Sequence, residues 1–312
     1  MQKIRNELIQ KMFAADLTGK EIDVFLYLLS IQDQYGEVTG AYYQDIQDNA
    51  GIKSRQTVYT TLKNLENKEL IKKSKNHYTD FDIVILHNDF SYGNPINYTS
   101  TNKTMFYDPD FRKMKPGAKL MALDLLQLTG KQEDNNHPTY KKEINAFWKK
   151  YKELLQITKH TVQLYMTQLR KFFNVQIKGH TYYIKALNRA KSNIGLITEN
   201  YRLAEHTVKT LLRRQNIRKY ENQDIKDIAN VLISYSKKFT KARTDEQDPV
   251  RQKAVSEHRA MNAMGRAVQK AKQHLQGRIN DIPKPNFIHK LLKQEFEEEI
   301  KIFRQTPANA SG

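Results

Sequence analysis

Residues 43–75, YQDIQDNAGIKSRQTVYTTLKNLENKELIKKSK, decide the fold. The spacing predicts a short helix over 43–49 that stops at Ala50-Gly51-Ile52, where Gly51 can take the positive φ of a tight turn. Ser54 then offers a hydroxyl cap to a second helix, in which Val58, Leu62 and Leu65 recur at i, i+4 and i+7 and form one buried stripe. Arg55, Gln56, Tyr59, Thr60 and Lys63 are left on its outward face. Beyond Leu70, residues 71–75 and 81–87 read as two short strands about a polar tip, 76–80. Upstream, Thr18-Gly19-Lys20-Glu21 has capping-box spacing ahead of Ile22, Phe25, Leu26 and Leu29, so a helix starts there and buries one face. Residues 32–40 read as a polar loop, and 1–13 as an amphipathic helix.

The pattern then repeats. Residues 117–128 form an amphipathic helix carrying Leu120, Leu123, Leu125 and Leu128, followed by a polar loop over 129–137 and a helix over 140–155. In the next helix, 158–173, Thr161-Val162 lies 104 residues after Thr57-Val58; at that offset Met166 matches Leu62, Leu169 matches Leu65 and Val175 matches Ile71. Residues 175–178 and 181–187 would pair about Gly179-His180. The expected organisation is a first helix-turn-helix with a hairpin over 1–90, a linker over 91–112, a second such unit over 113–190, and a basic helical region over 191–312. In that last region 201–217, 224–239, 250–276 and 287–304 read as helices, with a frayed tail from Thr306.

Charge divides the chain differently. The net +18 and pI near 9.7 point to a polyanionic partner. Residues 1–110 carry 12 Lys+Arg against 15 Asp+Glu, a net of −3, whereas 111–200 carry 17 against 6 and 201–312 carry 23 against 13. Locally the first unit is still basic, since Lys53, Arg55, Lys63, Lys68, Lys72, Lys73 and Lys75 face only Glu66 and Glu69 between 53 and 75.

The outward helix faces suit the major groove of B-DNA, which admits an α-helix. Arg55 can grip guanine with two donors, and Gln56 can pair similarly with adenine. Tyr59, Thr60 and Lys63 lie along the same face, and Ser54, Lys53, Lys73 and Lys75 border it; hydroxyls and ammonium groups commonly take phosphates. In the second unit Lys159, His160, Gln163, Thr167 and Arg170 occupy the outward face, flanked by Lys171 and by Lys178 and His180 on the hairpin. Trp148, the single tryptophan, reads as a core anchor of the preceding helix. Lys149, Lys150 and Lys152 beside it either touch phosphates or are solvated.

Several classes are excluded or disfavoured. With no cysteine, disulfides and thiolate metal sites are ruled out, and a reducing cytoplasm is the expected compartment. No apolar run approaches the ~18 to 20 residues of a membrane span, and residues 1–13 lack the apolar stretch of a secretory signal. There is no G-x-x-x-x-G-K-[ST] loop, no G-x-G-x-x-G after a strand, and no H-x-H or H-E-x-x-H among the nine histidines, so no cofactor and no enzymatic activity are expected.

Gly51, Thr57-Val58, Leu62, Leu65 and Glu69-Leu70-Ile71 ahead of a hairpin resemble the MarR-like winged-helix superfamily over about seventy residues. The fold class this implies is mainly α with small β-wings (α+β), two winged helix-turn-helix domains followed by a helical C-terminal region. That architecture, without a sensor domain, resembles plasmid replication initiators of the tandem winged-helix type. The resemblance implies binding of double-stranded DNA at repeated origin sites as a homodimer or multimer, one winged helix serving assembly and the other reading sequence. A winged-helix transcriptional regulator is the alternative, and a structural DNA organiser a third class.

Overall fold

The computed structural model describes residues 2–74, 80–91, 97–130, 139–192, 196–217, 220–242, 249–274 and 284–305. The fold is mainly helical with small antiparallel sheets. It divides into two compact units, Met1–Ser74 with Asp82–Phe90 and Pro95–Glu199, and Lys75–Phe81 with Ser91–Asn94 and Asn200–Gly312.

In chain order the first unit runs β1 (Lys3–Arg5), α1 (Asn6–Ala14), α2 (Gly19–Ile31), β2 (Glu37–Tyr42), α3 (Tyr43–Ala50), α4 (Arg55–Asn67), β3 (Ile71–Ser74), β4 (Asp80–Ile85, from Asp82) and β5 (Tyr98–Ser100). After a 3-10 turn at Thr104–Tyr107 come α5 (Pro109–Arg112), α6 (Pro116–Gly130), β6 (Tyr140–Glu143), α7 (Ile144–Leu155), α8 (Lys159–Leu169), β7 (Phe173–Lys178), β8 (Thr181–Ala186) and α9 (Asn188–Lys191). One order therefore occurs twice: helix, strand, helix, helix, strand, strand, from α2 to β4 and from α6 to β8. Each copy closes into a three-stranded sheet with its last strand in the middle, β2-β4-β3 and β6-β8-β7.

Local chemistry explains the elements. Thr18 and Glu21 form the expected capping box at α2: the Glu21 N–H donates to Thr18 Oγ1 at 3.3 Å, and the Thr18 N–H to Glu21 Oε2 at 2.8 Å. Gly51 ends α3 at φ +66, as its lack of a Cβ permits. The equivalent turn after α7 uses Gln156 at φ 51, a conformation costly for a side chain with a Cβ. Val58, Leu62 and Leu65 are buried under α4, and Val162, Met166 and Leu169 under α8.

Other expectations need correction. Residues 32–40, read as a loop, include most of β2, and the helix read over 140–155 gives its first four residues to β6. Strand β2 alternates exposed and buried residues only from Glu37 to Gly40, too short a run to stand out, and β6, YKKE, does not alternate at all; it is an edge strand held by its ladder to β8. The helix expected to reach 173 ends at Leu169, because Phe172 and Phe173 turn into the core and β7 begins. Of the expected linker 91–112, residues 97–112 are built into the unit: β5 pairs with β1, and Thr101, Met105, Phe106 and Phe111 are buried. Helix α6 is not amphipathic, since every residue from Ala118 to Leu126 is buried, while Leu128 is only half-buried. The hairpin tip 75–79, with Lys75, lies outside the described residues.

The second unit contains α10 (Leu196–Arg214, from Asn200), α11 (Asn222–Ala242), α12 (Pro249–His274) and α13 (Pro285–Gln305). Val208, Leu212, Ile228, Leu232, Ala263, Met264, Val268, Ile288 and Leu292 form one core. Between α12 and α13, Arg266 pairs with Glu295 at 2.5 Å and with Glu299 at 2.7 Å, and Lys270 also meets Glu295. Burial would raise the Glu295 carboxyl, but hydrogen bonds from Lys270 and Arg266 outweigh it and hold the group below the usual range. Asp80 belongs to this unit too, its buried carboxylate 2.8 Å from Arg214.

In the first unit, α6 packs against α1, α2, β5, α8 and β8. Its buried Lys119 places Nζ 2.7 Å from both carboxylate oxygens of Asp23 on α2. Burial pushes the Lys119 ammonium down and the Asp23 carboxyl up, so desolvation outweighs the pairing on both sides. Lys119→Met should therefore cost about 3 to 5 kcal/mol by stranding a buried carboxylate, and adding Asp23→Leu should recover most of it. Denaturant unfolding measures both; a Lys119→Met cost below about 1 kcal/mol would show that the pair does not join the two helices.

Candidate nucleic-acid interface

Helix α4 emerges from the α3 turn with Ser54 at its N-cap, although the Ser54 hydroxyl makes no capping hydrogen bond. Lys53, Ser54, Arg55, Gln56, Thr60 and Lys63 are exposed, as expected. Arg55 is not extended into solvent. Its Nε donates to the Tyr59 hydroxyl at 2.8 Å, and its guanidinium carbon lies 4.3 Å from the Tyr43 ring centroid and 5.2 Å from that of Tyr59. The hydrogen bond to Tyr59, and then the nearby tyrosines, favour the charged form still further. Tyr43, packed edge-on to Tyr42 with centroids 4.6 Å apart, was missed in the sequence reading. The signal was present in a Tyr42-Tyr43 pair opening α3 and an Arg55/Tyr59 pair at i, i+4 on α4.

The local basic patch is thinner than the count suggests. Lys73 donates to Glu66 at 2.5 Å, while its backbone N–H bonds the other oxygen of the same carboxylate at 3.0 Å. The Lys73 hydrogen bond is the main reason the Glu66 carboxyl falls below its usual range. Lys68 is likewise held by Glu21 at 2.9 Å. Among the described residues of this patch, Lys53, Arg55, Lys63 and Lys72 carry the exposed positive charge that remains.

The second repeat presents a different surface. Thr158 caps α8, its hydroxyl accepting from the Thr161 N–H at 3.2 Å. Lys159, His160, Gln163 and Arg170 are exposed along the helix. Thr167 is exposed too, but its hydroxyl donates to the Gln163 carbonyl at 3.1 Å and is consumed within the helix. Lys171 pairs with Asp110 at 2.9 Å, so it is a poor phosphate ligand. Lys171 and then Arg189 hold the Asp110 carboxyl below its usual range.

On the hairpin, β7 and β8 pair from Phe173↔Ala186 to Lys178↔Thr181, and Gly179 at φ +57 turns the chain beside the exposed His180. Lys178 and Lys141 lie 5.5 and 5.6 Å from the Tyr183 ring centroid. Because Lys141 sits opposite Tyr183 in the ladder, this outward sheet face adds Lys141, Tyr183 and Lys185 to the candidate surface. Lys141 is not predictable from periodicity because its segment reads as helix, and although Tyr183 and Lys185 fall in an expected strand, which face they share follows only from the β6 pairing.

Trp148 is not the core anchor of α7. That role belongs to the buried Phe147 and Tyr151, while Trp148 is half-buried, edge-on to Tyr182, with the Lys159 ammonium 3.6 Å from its ring centroid. Lys150 donates to Asp124 at 2.5 Å, which separates it from the exposed Lys149 and Lys152.

Among the described residues no helix is long and apolar enough to cross a membrane, and no group of three or more His, Cys, Asp or Glu could hold a metal ion. Set against protein-family models, curated proteins and solved structures, the chain matches none of them.

The Lys159–Trp148 contact is directly measurable, because the chain has one tryptophan. Lys159→Met should cost no more than about 1 kcal/mol of stability yet shift the Trp148 emission maximum. An unchanged spectrum would mean that the ammonium does not sit over the ring in solution.

Proposed function

We propose that both repeats are winged helices and that the chain is a non-catalytic, sequence-specific binder of double-stranded DNA, with the second repeat making the main contact. The observation that carries this reading is the twice-used element order, with an exposed polar helix after a turn and a hairpin folded beside it. Winged helices of this order set such a helix in the major groove and the hairpin against the flanking backbone. In the second repeat the helix and its C-cap offer Lys159, His160, Gln163 and Arg170, and the sheet offers Lys141 and Lys178, within a stretch whose Lys+Arg outnumber Asp+Glu by 17 to 6. In the first repeat Arg55 is stacked on tyrosines and Lys73 is neutralised, which suits assembly or a secondary contact.

The biological role that fits best is replication initiation on a plasmid or mobile element, with homodimers or multimers on repeated origin sites in the bacterial cytoplasm. It rests on the tandem arrangement and the resemblance to tandem winged-helix initiators. The MarR-like pattern of the first repeat favours a transcriptional regulator as the second reading.

Selection of the full chain on a random duplex library, followed by salt titration, tests the proposal. A defined sequence logo is expected. If about five phosphates are neutralised, affinity should fall several-hundred-fold between 50 and 200 mM salt. Gln163→Ala should cost about 1 to 3 kcal/mol and flatten one logo position. A flat logo with tight binding would contradict sequence-specific reading and favour a DNA organiser.

A further inference from the structure

The two most exposed of the large apolar side chains among the described residues are Ile177, at 54%, and Leu164, at 50%. They lie on the hairpin and on α8 of the second repeat. The buried stripe of α8 is Val162, Met166 and Leu169. Leu164 stands two positions from Val162, about 200° around the helix, so it lies opposite the buried stripe and beside the exposed His160 and Thr167, with Gln163 further round on the same side. At the 104-residue offset the first repeat has the polar Thr60 at this position, so an apolar residue here is not required by the helix.

Thr167 adds a second apolar group. Because its hydroxyl is bound to the Gln163 carbonyl at 3.1 Å, its methyl is the group the side chain has left to offer. Thr167 is the i+3 neighbour of Leu164, so the isobutyl group and this methyl adjoin on one surface. A polar base edge placed on such a spot would lose hydrogen bonds without compensation. In the major groove the apolar group at a base edge is the C5 methyl of thymine.

Resting on the DNA reading above, we propose that Leu164 is a specificity-determining residue that packs, with the Thr167 methyl, against the C5 methyl of one thymine in the bound site. Gln163, the preceding residue, is suited to adenine, so the pair favours adjoining A·T base pairs.

The test uses the full chain and the duplex recovered from the random library, with each thymidine exchanged singly for deoxyuridine, which removes only the methyl. Wild-type affinity should drop about fourfold at one position, the worth of one buried carbon. Leu164→Ala, a surface change that leaves the core intact, should weaken binding to the thymidine duplex by at least as much and bind both duplexes alike at that position. A recovered duplex indifferent to every exchange overturns the assignment while leaving DNA recognition standing. So does a Leu164→Ala variant that keeps full sensitivity at the same position, which would leave Leu164 to a protein contact. If no duplex is enriched at all, DNA recognition falls, and the thymine contact with it.

Discussion

Helix α6 has no solvent face over residues 118–126, yet it carries two charged side chains there, and both are spent on neighbours. Lys119 reaches Asp23 on α2, the first helix of the first repeat. Asp124, five residues on, takes the Lys150 ammonium at 2.5 Å and the Tyr151 hydroxyl at 2.6 Å from α7 of its own repeat. Buried charges tolerate little misplacement, because a lost partner leaves a desolvated group uncompensated. These two residues therefore fix how α6 meets α2 on one side and α7 on the other. The apolar residues between them supply most of the burial energy, which is not directional. Both copies of the repeated order consequently share one core.

The same economy of charge decides which lysines can meet an outside polyanion. Lys68, Lys73, Lys150 and Lys171 all look available in a count of basic residues, and all are paired with carboxylates of the fold. Among the residues that stay exposed in the second repeat are Lys159 on α8 and Arg170 at its C-cap, Lys141, Lys142 and Lys178 on the sheet, and Lys149 and Lys152 on α7. Arg55 in the first repeat is exposed but held against Tyr43 and Tyr59, so reaching a base would cost it those contacts. A difference in net charge between the chain's regions thus becomes a difference in what each helix face can offer.

Much of this was legible in the sequence where one local rule governs the element. The capping box at Thr18, the break at Gly51, the stripes of α4 and α8 and the Gly179-His180 hairpin depend on residues close in the chain. The missed elements depend on distant partners. Strand β6 is charged at three of its four residues and takes its form from β8, and β5 from β1, more than ninety residues earlier in the chain. Helix α6 looked amphipathic because Lys119 and Asp124 break its apolar run, and only the packing shows both charges turned inward. At the candidate surface, the exposed residues of α4 and α8 followed from helical periodicity. The pairing of Lys73 and Lys171 and the stacking of Lys159 on Trp148 could not, since each needs the positions of side chains the periodicity leaves open.

Hydrogen–deuterium exchange of the full chain, with and without a selected duplex, tests most directly where DNA would sit. If the second repeat carries the contact, exchange should slow on DNA binding across residues 158–186, more than across 54–74. Protection confined to residues 200–305, or stronger over α4 than over α8, would contradict it.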